Sequence, residues 1–404
     1  VDALADGPEE IAERLAAAQP HLAELSAHVL AAAEPYRMTR RAEALRRILE
    51  RVGAAERPRA SARPSGHRTK VLLAAHDLKF AGELVDMLQA DPDVELRIDQ
   101  WETLHEHDES ASQQLLDWAD VVVCEWAGPN AVWFSQRVRP DQRLVVRLHM
   151  FELRGGWLKD IDTSRVDVLV VVSEMNRGHV LDALDIDPSR VRVIPNAVSF
   201  ADLARPGREG RRFRLGMVGI VPLLKRPDRA LDLLGRLRAE DDRFTLHIRG
   251  RMPWEYPHVW RKPLEREGYL DLFARLGAGP LRDAVAFEPF GADMGTWYTK
   301  VGWMLSPSAT ESFHLAPVEG MVSGAVPVVW DREGARDVFD DRWIVADAQA
   351  AAQRILDAAD AEGDWAALSD LARTEVGRYD ERVVADLWRD AVLPPRPPEA
   401  PAAL

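Results

Sequence analysis

The feature that most constrains this chain is a rhythm that occurs twice: short apolar, β-branched runs separated by helix-length stretches. Val71-Leu72-Leu73-Ala74-Ala75 is apolar without a break, the mark of a strand covered on both faces. A helical stretch, Ala81 to Gln89, follows it. Further strands are expected at 94–98, 121–124, 143–148 and 168–172, and then Val191 to Ile194. After a Pro/Gly/Arg-rich break, Arg205 to Gly210, strands are expected at 214–218, 244–249, 284–288, 302–306 and 326–330. Strands alternating with helices build a doubly wound parallel sheet. The expected fold class is therefore α/β, with two tandem Rossmann-like domains joined near 197–212 and facing across a cleft. Ligands of such sheets bind beyond the carboxyl ends of the strands, which makes the cleft the expected site.

The 404 residues suit two domains with additions at each end. Residues 1–66 read as an N-terminal helical extension and basic linker, 67–200 and 201–376 as the two domains, and 377–404 as an amphipathic helix with a Pro-rich tail. In the extension Ile11, Leu15, Leu22, Leu25 and Leu30 recur at near-helical spacing, and Pro35 splits the segment. A net charge of −14 argues against a general nucleic-acid binder. Residues 36–70 nonetheless hold eleven Lys/Arg against three Glu. Such a stretch fits a solvated helix and linker, or a surface for anionic lipid, an anionic polymer or another protein. Oligomerisation stays open. No run of about 18 apolar residues offers a membrane span, and the acidic start Val1 to Asp6 lacks a signal-peptide pattern. Cys124 is the only cysteine, which excludes an internal disulfide and fits a reducing cytosol. The expected location is cytoplasmic, with peripheral attachment at the inner face of the membrane as a variant.

The strongest chemical constellation lies in the second domain. A strand ending at Ser306-Pro307-Ser308 leads into a loop with Glu311-Ser312-Phe313-His314-Leu315, and Ala316-Pro317-Val318-Glu319 opens a helix. A helix start aimed at a cleft offers unpaired N–H groups and the positive end of the helix dipole, which suits a diphosphate. Glu319 lies early in that helix, where a carboxylate can accept two hydrogen bonds from a ribose diol; Glu311 lies nearer to where a sugar would sit. A second constellation, Gly216 to Pro227, reads as strand, glycine turn and helix start, with Gly219, Lys225 and Arg226 at the turn.

The run P-S-x-x-E-S-F-x-L-x-x-x-E-G-x-x-S-G-x-V-P-V-V, from Pro307 to Val329, resembles the E-x7-E motif of retaining GT-B glycosyltransferases, family 4 type (glycosyl transferases group 1). The resemblance covers roughly 70–392. It implies an acceptor domain at 67–200, a nucleotide-sugar donor domain at 201–376 and a last helix that crosses back to the first domain. Glu311 would sit by the donor sugar and Glu319 would hold the ribose. The amides of Phe313, His314 and Leu315, with Ser312 in the same loop, would meet the diphosphate. Lys225 falls on the lysine of the family's G-R-x-x-x-x-K-G loop and would neutralise the leaving phosphate. Ile220 stands at that loop's arginine position, and Arg226, Arg249 or Arg251 is the expected substitute. His314 stands where the family often has glycine. His149, after the strand Leu144 to Leu148, falls on the histidine that bonds the donor sugar.

The loops after the first domain's strands are the expected acceptor wall: His76, Asp77 and Lys79, then Glu125, Trp126 and Asn130, joined by Glu102, His105, His107, Asp108 and Glu109. Tryptophan can stack on sugar C–H faces. Asp91/Asp93, Asp160/Asp162 and Asp185/Asp187 sit in expected loops or helix caps and form no convincing metal cage. The resulting expectation is retaining, metal-independent transfer without a cofactor, from a nucleotide-diphosphate sugar to a hydroxyl of a glycan, polymer, glycolipid or small molecule, as in cell-surface polysaccharide or glycoconjugate synthesis. The alternatives are a catalytically degenerate scaffold or nucleotide-sugar-binding subunit, which Ile220 and His314 would support, and a nucleotide-sugar epimerase on the same fold. An oxidoreductase is disfavoured because no G-x-G-x-x-G follows Val71 to Ala75.

Overall fold

The computed structural model describes residues 68–277, 279–291 and 293–393. The helical extension and basic linker read at 1–66 and the Pro-rich tail lie outside the described residues.

Two six-stranded sheets, parallel throughout, carry the fold. The first contains β1 (Thr69–Ala75), β2 (Val94–Gln100), β3 (Val121–Glu125), β4 (Arg143–Arg147), β5 (Val168–Val171) and β6 (Val191–Val193), in the order β2-β1-β3-β4-β5-β6. The second contains β7 (Arg214–Val218), β8 (Thr245–Arg249), β9 (Val285–Glu288), β10 (Trp303–Ser306), β11 (Val326–Trp330) and β12 (Ile344–Val345), in the order β12-β11-β10-β7-β8-β9. Each expected strand is present within a residue or two of its expected ends. The two-residue β12 had no signal in the sequence.

The unbroken apolar runs have a plain cause. Leu72, Ala74, Val122 and Val146 face one core of the first sheet, while Val71, Leu73, Val123 and Val145 face the other. Both faces of the central strands β1, β3 and β5 are covered, so they read as apolar runs, whereas the edge strands β2 and β6 alternate polar with apolar residues.

Four helices position the site. α1 (Gly82–Ala90) follows β1, α2 (Glu174–Ala183) follows β5, α3 (Leu315–Val322) follows β10, and α4 (Glu381–Val392) is the last. α4 begins slightly later than the sequence reading, after a 3-10 turn at Val376–Tyr379. It lies on the first sheet: Val384, Trp388 and Val392 share a core with Val71, Leu84 and Leu88. Arg389 pairs with Asp91 at 2.7 Å, and Arg143 donates to the Ala391 carbonyl. Asp91 is thus an anchor for this helix.

Chain order reverses between β1 and β3 in the first sheet and between β7 and β10 in the second. Such switch points open a crevice at the strands' carboxyl ends. Contacts join the ends of the two sheets. The Met175 amide of α2 donates to Asp337 at 2.6 Å, and His179 lies 3.0 Å from Glu333. No helix of the described residues is long and apolar enough to cross a membrane.

Candidate functional site

On the second sheet, the loops after β7 and β10 meet at the switch point. Lys225 Nζ lies 2.6 Å from Glu311 Oε1, and Ser308 Oγ donates to the same oxygen at 2.8 Å. Burial alone would raise the Glu311 carboxyl; the His314 ring and the Lys225 ammonium outweigh it and hold it at about 2. Burial in turn pushes His314 down to about 3, so its ring is neutral at neutral pH and Lys225 supplies the compensating charge. Arg332, after β11, adds positive potential near Glu311 and was not singled out from the sequence.

His314 takes a left-handed backbone, φ 64° and ψ 73°, immediately before α3. Glycine adopts this conformation without strain, which is the physical content of glycine at that position. His314 is held there by Ser306, whose Oγ lies 2.6 Å from Nδ1. The turn presents the first amides of α3. Those of Phe313, His314 and Leu315 make no hydrogen bond among the described residues. The Phe313 side chain is in the core against Tyr379, so only its backbone is available, while Ser312 and Leu315 are half-buried.

Glu319 lies one turn further along. Tyr298 Oη sits 2.7 Å from its Oε2 and 3.0 Å from the Ala316 carbonyl. Burial raises the Glu319 carboxyl to about 7. No sequence signal singled out Tyr298.

Gly219 has φ 73°, and a Cβ on Gly250 would lie 3.1 Å from the Gly219 Cα; the two turns pack backbone to backbone. Two expected donors differ from the reading. Arg226 stands at the N-cap position of the next helix without a capping bond, and its guanidinium is turned onto Asp228, at 2.7 Å, rather than joining Lys225. Arg251 is exposed, with its guanidinium 5.5 Å from the Phe290 ring. Ile220 is a buried hydrocarbon side chain, so that position of the loop offers the site no charge.

On the first sheet, register decides the pairing. Glu125 and Arg147 are Cα partners on adjacent strands. Both are buried, with Arg147 Nη1 3.2 Å from Glu125 Oε1. Arg147 also reaches the Phe80 carbonyl and Asn196 Oδ1. A charged residue inside Leu144 to Leu148 was a visible signal, because a buried charge needs a partner. His149 Nε2 sits 2.9 Å from Glu125 Oε1. Burial opposes this carboxyl's ionisation, yet Arg147 and His149 hold it below its usual range. A carboxylate only accepts, so Nε2 carries the proton and Nδ1 is the basic nitrogen. Burial also keeps the His149 ring neutral. Glu152, buried and raised to about 8, accepts from the His149 and Ala127 amides.

Several expected acceptor residues therefore lie behind the surface. Glu125 is fully buried and positions His149. Asn130 is buried and ties the Ala74 and Glu125 carbonyls together. Asp108 caps a helix, and His107 stacks on Trp101 at 3.7 Å. Trp126, with φ 74°, is buried against His149, while His76 lies 5.5 Å from it. Lys79 is exposed and stands over Trp126, paired with Asp77 at 3.4 Å.

Two parallel six-stranded Rossmann-like sheets, each with its polar loops at the switch point, define the GT-B architecture of glycosyltransferases. Residues 212–360 match the family model described as glycosyl transferases group 1. Two curated relatives are D-inositol 3-phosphate glycosyltransferases. The one from Frankia alni is 31% identical over 178 residues, covering 40% of this chain and 41% of the relative. The one from Streptomyces scabiei is 30% identical over 225 residues, covering 49% of each. The chain thus spans less than half the length of either. Among solved structures, Anabaena Alr3699/HepE in complex with UDP-glucose superposes with a TM-score of 0.60 at 15% identity, covering 80% of this chain and 99% of that one.

Proposed function

We propose that this chain transfers a glycosyl group from a nucleoside diphosphate sugar to an acceptor hydroxyl, with retention of configuration, in the manner of family 4. The observation that carries the reading is the Lys225–Glu311 pair set beside the free amides at the start of α3. When the sugar–phosphate bond breaks, negative charge develops on the diphosphate. Lys225 and the α3 amides would neutralise it in place of a metal ion. Glu319 would take the ribose diol. Glu311 and the Nδ1 of His149 would bracket the sugar from opposite walls. The UDP-glucose complex of the Anabaena neighbour makes uridine diphosphate sugars the first donors to try. Hexosyl transfer in surface-polysaccharide or glycoconjugate synthesis at the cytoplasmic side is the biological setting that goes with this reading.

The test is calorimetric titration with nucleoside diphosphates, followed by product analysis with a donor and acceptor panel. Micromolar binding that Glu319→Ala weakens at least tenfold, with an α-linked product from an α-linked donor, is expected. Equal binding by wild type and Glu319→Ala, with no sugar transferred, would overturn the reading. Binding without turnover across the panel would instead favour the scaffold alternative.

A further inference from the structure

The acceptor wall carries a continuous strip of aromatic rings. Loops after β2, β1, β3 and β4, neighbours in the sheet, each contribute to it. His105 meets Trp157 edge-on at 6.0 Å, Trp157 meets Phe151 at 6.0 Å, and Phe151 meets Trp126 at 6.2 Å. Trp126 lies 4.1 Å from His149, which stacks on Phe80 at 5.1 Å. The strip is both anchored and open. Trp126 Nε1 donates to the Asp77 carbonyl and Trp157 Nε1 to the Ala127 carbonyl. Phe80 and Phe151, by contrast, are 36% and 49% exposed. Exposed phenylalanines on a wall of fixed rings are apolar area awaiting a ligand.

The lysine that stands over these rings is already paired. The Lys79 ammonium stands 4.8 Å from the Trp126 ring centre and 5.1 Å from that of Phe80, beside the Asp77 carboxylate. A phosphate laid here would meet Asp77 and a paired lysine, not a free fork of donors. We infer that the acceptor is an uncharged molecule presenting a flat apolar face, the C–H face of a pyranose or an aryl ring, and that the aromatic strip binds that face. The role of acceptor rests on the transfer proposed above; the binding chemistry does not. A phosphorylated cyclitol, which the names of the curated relatives carry, is the ligand this wall disfavours.

Saturation-transfer NMR on the full chain tests this without donor or turnover. The probes are a methyl glycoside, the matching aryl glycoside, and the same sugars phosphorylated. The neutral probes are expected to bind at least tenfold more tightly than their phosphates, with saturation concentrated on one ring face, and Phe151→Ala is expected to weaken them five- to tenfold. Phe151→Tyr should restore them, since an aromatic face is what is needed. A stronger response from the aryl than the methyl glycoside would identify the aryl group as the stacked face; equal responses would identify the pyranose. Preference for the phosphorylated probes, unchanged binding in Phe151→Ala, or no binding by any probe would overturn the inference. Nucleoside diphosphate binding is measured separately on the wild-type protein, so its failure would count against the donor reading alone.

Discussion

Lys225 Nζ and Glu311 Oε1 lie 2.6 Å apart although 86 residues separate them in the chain. The pair closes the floor of the second domain's cleft, with both side chains at most one quarter exposed. Lys225→Met would leave Glu311 with its Ser308 bond and the more distant Arg332, but without its paired cation. Removing one partner of a largely buried pair leaves a charge uncompensated. A loss of about 1–3 kcal/mol is expected in denaturant unfolding, and turnover should fall about 100-fold or more. Glu311→Gln should keep the fold and nucleotide binding but lose turnover. An active Lys225→Met would remove this lysine from the chemistry.

Glu319 makes stability and affinity depend on pH. Its carboxyl titrates at about 7 in the folded chain, against an ordinary value of 4.5. Between those values the native state holds a proton that the unfolded state has released. Stability from this group is therefore highest below pH 4.5 and declines as pH rises toward 7. Glu319→Gln should flatten that decline, seen as a melting-temperature gap over wild type that widens from pH 5 to pH 8. Nucleotide affinity should move the other way. A ribose diol requires the carboxylate, so wild-type affinity should rise toward pH 7 and level off above it, with proton release measurable by calorimetry in two buffers.

Arg147 and Glu125 are a buried pair on adjacent strands. Arg147→Met should destabilise the first domain by about 3–5 kcal/mol, because Glu125 is then stranded. The double variant Arg147→Met/Glu125→Gln should recover much of that loss. Urea midpoints of the two variants decide the point: equal midpoints would mean that the charge of Glu125 is not what Arg147 stabilises.

His314 separates backbone strain from side-chain bonding. His314→Ala loses the Ser306 bond and keeps a left-handed backbone on a residue with a Cβ. His314→Gly loses the same bond but relaxes the backbone. The glycine variant should be more stable than the alanine variant by about 1 kcal/mol, seen as a difference of roughly 2–4 °C in melting temperature. Equal melting temperatures would show that this turn stores no strain.

Much of the architecture was legible because burial on both faces writes strands as plain apolar runs. Val71 to Ala75 and Val326 to Trp330 are of this kind. β12 was illegible because two residues, Ile344 and Val345, carry no pattern. Glu311, Glu319 and Lys225 could be read because a helix start after a strand is a local feature. Tyr298 and Arg332 could not, since nothing local distinguishes them from ordinary structural residues. Asn130 and Glu125 were read as surface because polar residues after a strand usually are. Here the carbonyls of Ala74 and Glu125 and the guanidinium of Arg147 draw them inward.

The sequence by itself determined the element types, the two-sheet plan and the glutamates of the second domain, since each depends on local periodicity and spacing. The tertiary structure decided which side chains meet. Strand order is not chain order: β3 lies beside β1, and β10 beside β7. That rearrangement brings Lys225 to Glu311. In the first sheet the parallel register sets Glu125 against Arg147, leaving His149 to be oriented by a carboxylate that has no exposure of its own. Spacing along a chain cannot encode such pairings, because they follow from packing both faces of a twisted sheet.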